Sequence, residues 1–296
     1  MKSRIKNKLK HLFVKAKKGK SKDEIIASYK ASGSEPWSVG YHEYKWKYIE
    51  GAIHSQDVLT QFENELLPSG YGVGLDERVI EYPWLLSHIR PGHGKFLDAG
   101  STFNFGDILA HSVLTDKDVY IYTYYPESNN FANKRISYVY GDLRELPFKN
   151  DCFDQIVCHS TLEHIDMDNS MYGYDIAHLQ DSQNKSFEYL NVIEELVRVA
   201  KPGGQILLTF PYGKFENHGF FQQFNSEMVQ KIEDAIIATC MCKKSFAKYN
   251  QDGWQFVLQS ESENAISYNP HTGRGKGSDN AAHSRAICFM KIQKNK

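Results

Sequence analysis

The chain has 296 residues, of which 41% are apolar and 24% are charged. This composition excludes a disordered, collagen-like or disulfide-framework protein and fits a folded chain with an ample core. The formal net charge of -1 conceals an uneven distribution, because residues 1–22 hold ten of the 35 lysines and arginines and no acid. The rest of the chain carries 25 basic and 36 acidic residues, so we expect an acidic body with a basic tail.

The basic tail contains apolar residues at helical spacing among its lysines. They are Ile5, Leu9, Leu12, Phe13 and Ala16. This pattern predicts a short amphipathic helix on an anionic membrane surface, with a solvated terminus as the alternative. Contact with nucleic acid is disfavoured by the acidic body.

The sequence contains no apolar stretch long enough to cross a bilayer and no secretory signal pattern. We therefore expect a cytoplasmic protein, with peripheral contact to the inner face of the membrane through residues 1–22. The five cysteines are an odd number without a CxxC pair, and Cys240 and Cys242 alternate as on one face of a strand. We expect neither disulfides nor a bound metal.

After the tail, residues 23–89 predict a helical lead-in that ends in a helix over 76–89. Seven short apolar runs separated by longer segments then predict strands. They lie at 95–99, 118–123, 136–140, 154–158, 205–210, 254–259 and 285–292. The alternation predicts an α/β fold: a Rossmann-like, doubly wound, mostly parallel seven-stranded sheet with an N-terminal helical extension. We expect the core of this fold over residues 90–215, with residues 216–296 completing the sheet.

In such a sheet, ligands bind beyond the carboxyl ends of the strands, so the strand-end motifs carry the functional information. In chain order these are Leu97-Asp98-Ala99-Gly100, Gly141-Asp142-Leu143 with Leu146-Pro147-Phe148, Phe153-Asp154, Leu162-Glu163-His164, Glu195-Leu-Val-Arg198-Val199 and Lys201-Pro-Gly-Gly204. Together they resemble the class I S-adenosylmethionine-dependent methyltransferases, particularly type 11. The resemblance covers residues 90–215.

The resemblance implies S-adenosylmethionine as cofactor and assigns contacts to it. Asp98, Gly100 and Ser101 match the loop that faces its amino-acid part, and Asp142 and Leu143 match the adenine contact. His159 and Ser160 end the fourth strand, next to the sulfonium and the acceptor.

The sequence departs from the family pattern at two positions. Thr102 replaces the usual second glycine, and Thr123 stands where an acid normally holds the ribose hydroxyls. Glu127 lies close enough along the chain to reach back, so Thr123 and Glu127 are both candidates for the ribose site. The departures also leave open a catalytically inactive binding or scaffold protein with this fold.

Methyl transfer from a sulfonium to a hydroxyl requires alignment of the acceptor and removal of its proton. His164, after the fourth strand, and His218, beyond the loop after the fifth, are the candidate bases. A purely structural place at a helix start is the alternative for His164.

The resemblance implies a methyltransferase. It also implies O-methylation of a sugar or glycan hydroxyl in surface-polysaccharide assembly, because the proteins it resembles often have a basic amphipathic lead-in and a Tyr-Gly-Lys loop, here Tyr212-Gly-Lys214. In that case residues 216–296 contribute the acceptor site. Another small molecule or RNA is the alternative acceptor.

Overall fold

The computed structural model describes residues 20–172 and 184–296, so nearly all of the basic tail lies outside the described residues. The helices in these ranges are α1 (Lys22–Ala31), α2 (Tyr41–Ile53), α3 (Gln56–Glu63), α4 (Arg78–His88), α5 (Gly106–Leu109), α6 (Tyr189–Val199), α7 (Ser226–Ile236) and α8 (Gln259–Ser262). Among these residues, no helix is both long and apolar enough to cross a membrane.

Ten strands make up one large sheet and one small hairpin. They are β1 (Gly94–Ala99), β2 (Lys117–Thr123), β3 (Ser137–Tyr140), β4 (Phe153–His159), β5 (Ala200–Pro211), β6 (Glu216–Asn217), β7 (Gln222–Gln223), β8 (Cys240–Asn250), β9 (Gly253–Val257) and β10 (Ala286–Lys294). The large sheet has the order β3-β2-β1-β4-β5-β10-β8-β9. β1 to β5 pair in parallel, whereas β10, β8 and β9 pair antiparallel to their neighbours.

This arrangement confirms the Rossmann-like, mostly parallel fold, but the predicted count of seven strands was wrong. The large sheet has eight strands, and the one missed is β8. Its first half alternates buried Cys240 and half-buried Cys242 with exposed Met241 and Lys243, so no continuous apolar run marks it. Cys240 is part of the apolar core and Cys242 packs against it, in agreement with the strand-face interpretation. In the described ranges, no group of three or more His, Cys, Asp or Glu side chains is placed to hold a metal.

Helix α4 packs on one face of the sheet, and its amino-terminal end lies near the carboxyl ends of β4 and β5. Pro83 lies inside this helix and cannot donate to the carbonyl of Val79. The hydroxyl of Tyr71 donates to that carbonyl instead, at 2.9 Å. The helix therefore continues through the proline with its backbone satisfied.

The lead-in helices anchor the start of α4. Asp76, just before α4, accepts hydrogen bonds from Tyr41 Oη at 2.9 Å and from Lys45 Nζ at 2.6 Å, both on α2. All three side chains are buried. The aromatic lead-in thus packs onto the core and fixes the position from which Arg78 and Glu81 reach the strand ends.

Candidate active site

The loop after β1 is built around Asp98, which is fully buried. Its carboxylate accepts hydrogen bonds from the backbone N–H groups of Thr102 at 3.2 Å and Phe103 at 2.8 Å. Burial raises the pKa of Asp98 to about 7. The carboxyl group therefore shapes this loop from inside.

Gly100 is required where the loops after β1 and β4 meet. Its φ is +126°, and a Cβ atom there would lie 2.1 Å from Thr161 Oγ1. Ser101 follows with φ +61°, in the left-handed region that glycine normally occupies. At Gly100 the loop backbone therefore packs directly against the side chain of Thr161, which leaves no room for a Cβ atom.

Glu127 reaches back to the end of β2, as the sequence suggested. Its carboxylate lies 3.2 Å from Thr123 Oγ1 and accepts a hydrogen bond from Ser101 Oγ at 2.8 Å. Asn104 Nδ2, which the sequence analysis missed, donates to the same carboxylate at 3.1 Å. The structure therefore brings three predicted residues, Ser101, Thr123 and Glu127, together at the ends of β1 and β2.

Asp142 and Leu143 follow β3 on the other side of this cluster. Arg144 donates to the Asp142 carboxylate from Nη2 at 2.7 Å and from its backbone N at 2.9 Å. Burial opposes ionisation, but these hydrogen bonds outweigh it and lower the pKa of Asp142. Leu143 is buried beside it. The predicted adenine contact thus has an ionised carboxylate held in a fixed orientation.

A buried carboxylate that the sequence analysis missed ties the ends of β4 and β5 together. Glu81 on α4 accepts hydrogen bonds from Ser160 Oγ at 2.6 Å, Thr209 Oγ1 at 2.7 Å and Arg78 Nη1 at 2.7 Å. His159 Nε2 lies 2.9 Å from the same carboxylate. Burial alone would raise the pKa of Glu81, but His159 and Arg78 hold it well below its usual range. Its only sequence signal is an acid on the apolar face of a helix.

Glu163 lies in the turn after β4 and has a different state. Its side chain is buried, and its Oε2 has no hydrogen-bond partner in residues 20–172 and 184–296. Burial raises the pKa of Glu163 to about 8. It is therefore mainly protonated at neutral pH, beside an ionised Glu81.

The two histidines predicted as bases both involve the small hairpin formed by β6 and β7: His218 lies within it, and His164 contacts it. His164 Nδ1 is 2.7 Å from the carbonyl oxygen of Phe220, so Nδ1 carries the proton and the lone pair is on Nε2. His218, between β6 and β7, stacks on Phe221 with ring centroids 4.4 Å apart. Burial lowers the pKa of each histidine to about 4. Both are neutral at pH 7.

The segment between α8 and β10 contacts both the hairpin and the start of α4. Arg274 Nη2 lies 3.1 Å from Glu216 Oε1, and His283 lies 3.1 Å from Glu77, which immediately precedes α4. No local sequence pattern indicates these contacts, because their partners lie far apart along the chain. Glu77 and Glu216 thus contact a histidine and an arginine from a segment far along the chain.

Comparison with known proteins gives a family match for part of the chain. Residues 97–208 match the family model described as methyltransferase domain. The matched segment runs from β1 into β5 and contains the strand-end residues described above. A search of curated proteins finds no match.

Solved structures with similar folds are distant in sequence. The YcgJ protein of Bacillus subtilis is 14% identical, with 73% of this chain and 98% of that chain covered and a TM-score of 0.47. A 1,6-didemethyltoxoflavin-N1-methyltransferase of Burkholderia thailandensis, solved with 1,6-didemethyltoxoflavin and S-adenosylhomocysteine, is 15% identical. There 86% of this chain and 90% of that chain are covered, with a TM-score of 0.42.

Proposed function

Since the match over residues 97–208 identifies the chain as a class I S-adenosylmethionine-dependent methyltransferase, we propose that it methylates a hydroxyl group of a sugar or glycan. S-adenosylmethionine supplies an electrophilic methyl group, and its amine, ribose hydroxyls and adenine amine are the polar handles that a protein binds. The residues at the strand ends fit these handles, because they offer the carboxylates of Glu127 and Asp142 as hydrogen-bond acceptors.

The observation that supports binding of the cofactor is the position of Glu127. We assign the ribose hydroxyls to its carboxylate, because it lies beside Ser101 and Thr123, where the first two strands end. A threonine at the end of β2 then does not imply loss of cofactor binding. Asp142 and Leu143 would receive the adenine, and Gly100 the amino-acid part.

At the end of β4, His159 and Ser160 would face the reacting groups, and Glu81 would hold them in place. His164 is the proposed base, because it lies in the turn after β4 and burial keeps its imidazole neutral, the form that can accept the proton of the acceptor hydroxyl. His218 lies on the hairpin that contacts His164 through the carbonyl of Phe220, and would contact the acceptor. The low pKa of each imidazole leaves the neutral form dominant across the physiological range.

The biological setting is proposed on the same basis. Residues 90–215 would form the cofactor-binding core, 23–89 a cap, and 216–296 the acceptor side. The basic residues of 1–22 would hold a cytoplasmic enzyme on the inner face of the membrane, where surface polysaccharides are assembled.

The function is tested by transfer of a radiolabelled methyl group from S-adenosylmethionine to methyl glycosides of common hexoses. We expect labelled glycoside with the wild-type protein and at least a tenfold lower rate with His164→Gln. His93→Gln is the matched control, because His93 is exposed and directly precedes β1, at the edge of the sheet opposite the carboxyl ends of the parallel strands. Transfer to a nitrogen or sulfur acceptor, with none to any glycoside, would contradict hydroxyl methylation.

A further inference from the structure

The hairpin formed by β6 and β7 carries a pair of buried polar side chains with unfilled hydrogen-bonding capacity. The His218 side chain has no exposed surface, and neither of its ring nitrogens has a hydrogen-bond partner among the described residues. The same holds for Glu216 Oε2. His218 Nε2 and Glu216 Oε2 lie 3.4 Å apart without a hydrogen bond between them.

These unfilled groups do not result from a poorly held loop. Gln222 exchanges two hydrogen bonds with the backbone of Ser186, at 3.1 and 3.0 Å. Gln223 donates to the carbonyl of Ala265 at 2.8 Å and accepts from Ser267 Oγ. The side chains on both faces of β7 are therefore hydrogen-bonded to other segments of the protein. Buried polar groups are nearly always paired in folded proteins, so three atoms without a partner in the described part of the chain indicate a site for hydrogen-bonding groups from outside the chain.

The hairpin lies beside the proposed site of methyl transfer. The carbonyl of Phe220 holds His164 at 2.7 Å, and the ring of Phe221 stacks on His218. Phe220 itself is half-buried at the tip, and its ring centroid lies 6.1 Å from that of His164. A molecule bound at Glu216 and His218 would therefore reach the loop that follows β4.

The chemistry of the pair selects the kind of group it can bind. A neutral imidazole offers one donor and one acceptor, and a carboxylate oxygen offers only acceptors. A hydroxyl group both donates and accepts, so two neighbouring hydroxyls can complete all three atoms. An anionic group would meet the Glu216 carboxylate, and a cationic group would meet Arg274, 3.1 Å from Glu216 Oε1.

We propose that Glu216 and His218 bind neighbouring hydroxyl groups of an uncharged ring in the acceptor. This inference rests on the proposed function, because it identifies the molecule that receives the methyl group. It assigns acceptor binding to His218 and Glu216 and leaves proton transfer to His164. Arg274 is the positioning residue that orients Glu216.

The test replaces His218 by phenylalanine, which keeps the stacked ring and removes both nitrogens. Since those nitrogens have no partner among the residues that the structure describes, we expect His218→Phe to have an unchanged or higher Tm. The matched control is His88→Phe. His88 also stacks on an aromatic ring, that of Trp84, but its Nδ1 has a partner in the Trp84 carbonyl oxygen at 2.9 Å. We expect this control to have a lower Tm.

Ligand binding is measured by saturation-transfer NMR on protein loaded with S-adenosylhomocysteine. The probes are methyl α-D-glucopyranoside, methyl α-D-mannopyranoside and methyl α-D-galactopyranoside, with the matching uronic acid and amino sugar glycosides for charge. We expect at least one neutral glycoside to bind the wild type and His88→Phe, and to bind His218→Phe at least tenfold more weakly. The charged glycosides should bind more weakly than the neutral ones.

Binding of S-adenosylhomocysteine is checked first, so that failure of the proposed function is recognised separately. If it binds and no neutral glycoside does, the inference is wrong. Retained glycoside binding by His218→Phe would also overturn it, whatever the Tm of the variant. If His218→Phe does not fold, Glu216→Gln serves instead and is expected to weaken glycoside binding by the same factor while leaving the affinity for S-adenosylhomocysteine unchanged.

Discussion

Glu127 Oε1 lies 3.2 Å from Thr123 Oγ1, so an acid four residues further along the chain occupies the end of β2. The second carboxylate oxygen of Glu127 bonds Ser101 on the neighbouring loop. A glutamate from the following loop therefore provides the charge that an acid in the strand itself would provide. Under the proposed assignment, Glu127 is the acid that binds the ribose hydroxyls.

Gly100→Ala is expected to destabilise the protein by more than strain in φ alone explains. The new Cβ would lie 2.1 Å from Thr161 Oγ1, so the loops after β1 and β4 must separate. Gly33→Ala is the control, because Gly33 also has positive φ but faces open space. Urea unfolding should show a loss of about 1 kcal/mol for Gly33→Ala and roughly 3 kcal/mol or more for Gly100→Ala. Equal losses would contradict a packing requirement at Gly100.

Glu81→Gln tests the buried carboxylate that joins the strand ends. An amide is uncharged and has a single acceptor oxygen, so either Arg78 or the two hydroxyls of Ser160 and Thr209 lose their acceptor. We expect a loss of roughly 3 kcal/mol in the free energy of unfolding. Glu195→Gln removes a carboxylate that also binds arginine, Arg198, but lies partly in solvent. Its expected loss is about 1 kcal/mol, and a larger loss for Glu195→Gln than for Glu81→Gln would refute the ranking.

The pH dependence of stability should show the protonated state of Glu163. Its pKa is raised from 4.5 to about 8 by burial, so the folded state binds the proton more tightly than the unfolded state. The protein therefore loses stability from this group as pH rises from 4.5 to 8. We expect Glu163→Gln to be more stable than the wild type at pH 8.5, by on the order of 2 kcal/mol. Chemical denaturation of both proteins at pH 5 and 8.5 measures this. If the difference in free energy of unfolding between variant and wild type is the same at both pH values, Glu163 is ionised at both.

Much of the fold could be predicted from the sequence because short apolar runs mark buried parallel strands. The helix predicted over 76–89 is α4, and the parallel strands β1 to β5 lie at the predicted runs. β8 was missed because its two faces differ: one is core and the other carries Met241 and Lys243 in solvent. A half-exposed strand has no continuous apolar run to detect.

The site was predictable only where strand ends alone define it. Asp98, Asp142 and His159 lie at strand ends and could be found from local motifs. Glu81 contacts Thr209, which is 128 positions away along the chain, and no local pattern indicates such a contact. Glu216 and Arg274 meet only through packing of the hairpin against a distant loop. Side chains that meet across long sequence separations had to be read from the structure.

The affinity for S-adenosylhomocysteine of Glu127→Gln, with and without Thr123→Asp, tests the central claim most directly. Because a lost hydrogen bond to a charged group costs about 1.5 to 3 kcal/mol, calorimetry should show roughly 10- to 100-fold weaker binding for Glu127→Gln. Adding Thr123→Asp returns an acid to the end of β2 and should restore most of the affinity, while the exposed-site control Asp116→Asn should bind as the wild type does. Wild-type affinity in Glu127→Gln, or no binding by the wild type, would contradict the account.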